Sequence, residues 1–109
     1  MLKPLSIKEA VNGVINLQNV EFATAIIPAV QENPQRGDEA DVYIGKEGTE
    51  DKLGPVNIYP GYEGELKIPK NVLEKYSGND AVAFRYELFP NGEGNSFPSE
   101  KAFYNIVPG

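Results

Sequence analysis

Cysteine and histidine are both missing from the 109 residues. Without a thiol the chain forms no disulfide, holds no zinc through thiolates and presents no thiol nucleophile. Without imidazole it lacks the commonest general base near neutral pH, the usual triad base and the commonest metal ligand. These absences argue against the familiar hydrolytic enzymes and leave the fold to rest on its apolar core. Positive charge is scarce too: 10 basic residues face 16 acidic ones, a net charge of −6. The resulting field repels phosphate backbones and anionic lipid, so neither nucleic acid nor a membrane surface is expected as a partner. No apolar run is long enough for a signal peptide or a membrane span.

What is present reads as strand. A chain of this length fits one domain that buries roughly two thirds of its unfolded surface. Strand-like runs recur at residues 5–11, 22–27, 40–44, 56–59, 65–68, 81–89 and 102–107, separated by Gly, Pro and Asn breaks. Seven short runs with such punctuation predict a β-sandwich. The clearest is 81–89, where Val82, Phe84, Tyr86 and Leu88 fall at period two, facing a core, while Ala83, Arg85, Glu87 and Phe89 face away. The Gly/Asn-rich segment 90–95 turns it into the last run as a hairpin. Residues 54–55 and 46–52 read as loop, the latter as an acidic insert. One helical signal competes, at 69–78, with Pro69 early, Val72, Leu73 and Tyr76 on one side and Gly78 as a stop; it predicts one or two turns. Ile7, Ala10, Val11 and Val14 also sit near helical spacing, but Gly13 and the β-branched residues favour an edge strand ended by a tight turn at Asn12-Gly13. Tyr86 and Tyr104 are expected in the core with their hydroxyls on backbone partners, and Tyr59 and Tyr62, which flank Pro60-Gly61, at the surface.

The order of these pieces resembles a family: the immunoglobulin-like repeats strung in tandem along large bacterial cell-surface and adhesin-type proteins. The residues that carry the likeness are Asn16-Leu17 closing the leader, Gly37-Asp38 ahead of Val42-Tyr43-Ile44-Gly45, the segment Leu66-Lys67-Ile68-Pro69 running on to Leu73, the strand around Tyr86, and Gly94-Asn95 before Ser99. The chain departs from the pattern in having no Trp after the third strand and in its acidic insert. The resemblance implies an all-β, immunoglobulin-like antiparallel β-sandwich of about seven strands with one short helical turn near 70–77. Residues 1–4 then read as linker or added residues, 5–107 as one domain and 108–109 as linker.

The role so implied is a non-catalytic spacer of an extracellular or cell-surface protein. Its partners are neighbouring immunoglobulin-like domains of the same longer secreted chain, the module itself is a monomer, and no cofactor is needed. An odd strand count sends the chain in at one pole and out at the other, with resistance to extension coming from ladders between 5–11 and 102–107. The alternative is a glycan- or protein-binding module using loops 31–39 and 46–54.

Several residues are candidates for more than structure. Arg36-Gly37-Asp38 is the tripeptide many integrins recognise, the Asp38 carboxylate completing a bound cation and Arg36 entering an acidic pocket; the plainer reading makes Gly37-Asp38 a turn. Asp38, Glu39 and Asp41, with Glu47, Glu50 and Asp51, form two carboxylate groups that could offer oxygens to calcium, although no D-x-D-x-D-G spacing occurs. Glu63 with Glu65, or Glu74 with Glu87, could be imagined as an acid/base pair, but nothing predicts the cleft such a pair needs. Tyr59 and Tyr62 could stack on a sugar or anchor an interface.

Overall fold

Alternation organises the chain into two packed sheets in the computed structural model, which describes residues 1–29, 37–78, 80–92 and 94–108. The elements in order are β1 (Ser6–Ile7), β2 (Val14–Asn16), β3 (Phe22–Ile27), β4 (Asp38–Ile44), β5 (Asp51–Ile58), β6 (Gly64–Pro69), helix α1 (Lys70–Glu74), β7 (Val82–Phe89), a 3₁₀ turn (Pro90–Gly92), β8 (Phe97–Pro98) and β9 (Ala102–Val107). One sheet runs β1-β3-β6 and the other β2-β9-β7-β4-β5, with β8 continuing alongside β7. The result is an all-β sandwich with the strand order of an immunoglobulin-like fold.

Along β7 every second residue is buried, and the buried set is Val82, Phe84, Tyr86 and Leu88. They join Ile15, Ile44, Ile58 and Ile106 of the same sheet, Ile27 and Ile68 of the facing sheet, and Leu17 and Leu73 in one core. The ring of Phe84 stands edge-on to Tyr104 at 5.5 Å, the geometry favoured by the quadrupoles of two aromatic rings. Helix α1 buries Val72 and Leu73, and the turn that follows it reaches Gly78, which takes φ +79° and donates its N–H to the Ile106 carbonyl.

The first strand departs from expectation. Residues 5–11 do not form one edge strand. The chain pairs with β3 as the two-residue β1, turns at Asn12-Gly13, and joins the other sheet as β2, parallel to β9. Both turn residues have positive φ, 50° and 76°, as a tight type I′ turn requires, and Val11 and Val14 bond each other's backbone in both directions. The ladder against β9 is therefore made by residues 14–16 rather than 5–11. The sandwich is antiparallel throughout the described residues except for this pair and the single Leu2–Ser99 bridge.

β5 also exceeds its expected span, beginning inside the acidic insert and running through Gly54-Pro55, whose peptide bond is cis. Gly54 and Pro55 together oppose the single Asp41, a β-bulge between the Ala40↔Val56 and Val42↔Leu53 pairs. β5 is the edge of its sheet, where a proline that withholds a ladder donor is tolerated.

Residues 2 and 3, expected as linker, belong to the domain. Leu2 bridges Ser99, with Leu2 N donating to Pro98 O and Glu100 N donating to Leu2 O, and the Tyr86 hydroxyl donates to Lys3 O at 2.7 Å. Leu2 thus lies near the start of β9, whereas Val107 ends it beside β2. The six residues of β9 alone span about 20 Å, so the two chain ends leave from opposite poles.

Candidate functional site

The outward residues of β4 and β7 build the most connected polar cluster among the described residues. In the register Tyr43↔Arg85 and Asp41↔Glu87, these side chains share the outer face of the five-strand run. Arg85 forks onto Glu50, Nε to Oε2 at 2.8 Å and Nη2 to Oε1 at 2.9 Å, and donates Nη1 to Glu87 Oε2 at 2.7 Å. Its guanidinium carbon lies 4.1 Å from the Tyr43 ring centroid, a cation–π contact. Glu87 Oε1 takes a further hydrogen bond from Ser96 Oγ at 2.6 Å, and Asp41 pairs with Lys52 at 3.5 Å. The bidentate bond that Arg85 donates to Glu50 leads the causes that hold the Arg85 pKa above its ordinary value. Arg85 and then Ser96 hold the Glu87 carboxyl below the usual carboxylate range.

That cluster braces the sheet, linking β4, β7 and the turn before β5. Arg85 is already engaged by two carboxylates, which leaves it poorly placed to capture an anion. A general acid needs a carboxyl whose pKa is raised, and Glu87 is moved the other way by Arg85 and Ser96, so Glu87 does not suit the acid's role in a Glu74–Glu87 pair. A groove of about 730 Å³ lies beside Arg85, between Glu47, Glu100, Lys101 and Phe103. Its charges are of both signs, so it selects no ligand charge.

The carboxylates considered for calcium are dispersed along the β4–β5 hairpin. Asp38, 3% exposed, accepts from Asn91 N at 2.9 Å at one end of β4. Glu39 lies on the outer side of the same end, where a Cβ on Gly92 would approach its carboxylate at 3.2 Å. Asp51, at the start of β5, accepts from the Tyr76 hydroxyl at 2.6 Å and pairs with Lys75 at 3.2 Å. Glu50 is held by Arg85, and Glu47 is exposed in the turn before β5. Among the described residues no three carboxylates come together in a way that could hold an ion. The structure therefore does not assemble the proposed set.

The receptor tripeptide fares similarly. Arg36 lies outside the described residues, but Asp38 is buried as the first residue of β4, tying that strand to the turn after β7. A carboxylate so placed is not presented to a receptor, and the turn reading of Gly37-Asp38 stands, with Gly37 at φ +92°. Of the two loops in the binding alternative, residues 31–36 lie outside the described residues. Residues 37–39 lead into and begin β4, whereas 46–50 turn from β4 into β5; residues 51–54 are already strand and run back along β4, with Gly54 against Ala40. Tyr59 and Tyr62 are at the surface as expected, 58% and 72% exposed, in the turn between β5 and β6 where Tyr62 N donates to Tyr59 O.

Comparison with protein-family models, curated proteins and solved structures finds no match to this chain.

Sequence reading missed the Arg85–Glu50 pair, although the outward phase of Arg85, Glu87 and Tyr43 was a usable signal. It also missed Glu9, whose carboxylate accepts from Thr24 N at 2.6 Å and Thr24 Oγ1 at 2.7 Å and so closes β3 where β1 ends. Both tyrosine hydroxyls do find backbone partners: Tyr86 donates to Lys3 O, and Tyr104 accepts from Ile7 N at 3.2 Å. No described side-chain nitrogen or oxygen is buried without a partner. No helix among the described residues is long and apolar enough to cross a membrane.

Proposed function

We propose that this chain is a non-catalytic structural module, an immunoglobulin-like spacer of the kind strung in tandem along large bacterial surface proteins of the adhesin type, working outside the cell. The observation that carries the reading is the exit of the two chain ends from opposite poles, Leu2 beside Ser99 and Val107 at the far end of β9. Modules joined through such ends extend one another instead of folding back. The parallel β2–β9 pair supports a load-bearing role, because tension on the two ends pulls these strands past each other and loads their hydrogen bonds together. The outer face supports it as well, since its charges are consumed by one another.

The test is extension of the chain by its two ends in a single-molecule instrument. A spacer yields in one cooperative rupture, releasing a contour length on the order of 300 Å. Gradual lengthening at low force, with no rupture, would end the proposal. A second reading, recognition of a glycan, is favoured by the exposed Tyr59 and Tyr62. It requires a glycan-array signal that Tyr62→Ala removes.

A further inference from the structure

The edges of a sheet determine which other strands it can accept, and β6 is the outer strand of the three-stranded sheet. The bonding of β3 fixes which backbone groups of β6 are free. Thr24 O accepts from Lys8 N at 3.0 Å, and Thr24 N donates to the Glu9 carboxylate, both on the β1 side. Alternate residues of an antiparallel strand turn their backbone groups to opposite edges. Ala23, Ala25 and Ile27 therefore bond β6 through their register partners Ile68, Leu66 and Gly64. Glu65 and Lys67 are left with N–H and C=O directed along the open edge, which no strand among the described residues covers. The usable stretch is short, because Pro69 brings no N–H and Ile58 and Val56 stand against Gly64.

Glu65 and Lys67 carry opposite charge, are both exposed, and flank the half-buried Leu66. We infer that a second copy of this chain pairs antiparallel along β6, about a twofold axis through Leu66. In that register Glu65 of each copy stands opposite Lys67 of the partner subunit, so the residues with free backbone groups are the ones brought into hydrogen-bonded pairs. Leu66 meets its own counterpart on the inner face as a non-hydrogen-bonded pair. Moving the axis to Glu65 or Lys67 sets like charges directly opposite, which opposes pairing, so the sequence selects one register. A lone lysine on an edge guards against association, but a glutamate two residues away turns it into half of a self-complementary pair. The ammonium of Lys67 lies 4.6 Å from the Phe22 ring centroid, which keeps it on the outer face where the pair forms. The assembly is a dimer of oppositely directed copies in place of the expected monomer, and it does not depend on the spacer reading.

Sedimentation velocity of the full chain from micromolar to millimolar concentration tests this. A reversible dimer is expected. Glu65→Lys or Lys67→Glu alone is expected to weaken it about tenfold, since the twofold axis doubles each lost pair. The double variant Glu65→Lys/Lys67→Glu restores the affinity. Leu66→Cys, in a chain with no other thiol, is expected to oxidise to a linked dimer faster than Ser6→Cys on the opposite edge. A chain that stays monomeric at millimolar concentration, or a dimer indifferent to the charge reversals, overturns the inference.

Discussion

Tyr86 and Tyr104 both reach from one sheet to the chain's first residues, but with opposite roles in their hydrogen bonds. Tyr86 donates to the carbonyl of the exposed Lys3, whereas Tyr104 accepts from the N–H of the buried Ile7. Removing the first hydroxyl frees a carbonyl of an exposed residue, while removing the second leaves the N–H of a buried residue without its partner. Tyr86→Phe is therefore expected to cost about 1 kcal/mol and Tyr104→Phe about 1–3 kcal/mol, with urea midpoints giving the order; equal costs would contradict the assignment. The ionisable groups set the pH limits. The carboxyls of Asp51 and Glu87 are held low, Asp51 first by the Tyr76 hydroxyl and then by Lys75, and Glu87 first by Arg85. Glu9 is also low, burial working upward but outweighed by its bonds from Thr24. Each has a folded pKa below its unfolded one, so the stability it adds is complete above the unfolded value and is lost as pH falls through the folded one. Burial pushes the Tyr86 phenol up to about 12, so its contribution is present below the ordinary tyrosine pKa and is lost as pH rises towards about 12. Urea midpoints are expected to hold between these limits and fall outside them, and Glu87→Gln is expected to flatten the acid limb.

At the scale of elements, the turn at Asn12-Gly13 decides which sheet the chain belongs to. Gly13 has φ +76°, and a Cβ added there would meet nothing within 4 Å, so Gly13→Ala tests backbone strain alone. It is expected to cost roughly 1–2 kcal/mol, read as a fall in melting temperature, whereas Gly13→Asn, which tolerates that conformation, costs less. This turn was legible because a positive-φ pair has a sequence signature. The switch of sheets that it performs was not, since a two-residue β1 and a three-residue β2 are too short to show periodicity. β7 was legible because eight alternating residues leave one choice of face. The extra length of β5 was hidden because Gly54-Pro55 carries the signature of a loop, and only its place at a sheet edge lets it be strand. The outer-face cluster was half legible: alternation turned Arg85 and Glu87 to the outer face, but which strand lies beside β7 does not follow from alternation, and Glu50 lies in a turn whose charges look solvated until β4 and β5 are paired.

At the scale of the whole molecule, the distinction between a load-bearing module and a passive one lies in the direction of force. Tension between Leu2 and Val107 draws β2 towards one pole and β9 towards the other, and the two strands are parallel. Their bonds lie across the pull and must fail together. Asn105 N donates to Gly13 O at 2.9 Å and Leu17 N to Val107 O at 3.1 Å, marking the ends of this clamp. The Asn105 side chain is exposed, so Asn105→Pro deletes the first bond without removing an apolar side chain from the core, but β9 lies between β2 and β7, where a proline ring also strains the ladder. Its cost in equilibrium stability is expected to be about 3 kcal/mol or more, one lost hydrogen bond plus the strain of a proline inside a sheet. Its effect on rupture force should be larger in proportion, because the remaining bonds of a short clamp share the whole load. A matched variant at the tip of a loop, such as Gly48→Ala with its φ of +91°, also strains the backbone but leaves the clamp intact. Pulling both variants by their ends is expected to lower the rupture force for Asn105→Pro alone. Equal forces would locate the mechanical barrier elsewhere and remove the reason for reading β2 and β9 as the part of the fold that bears load.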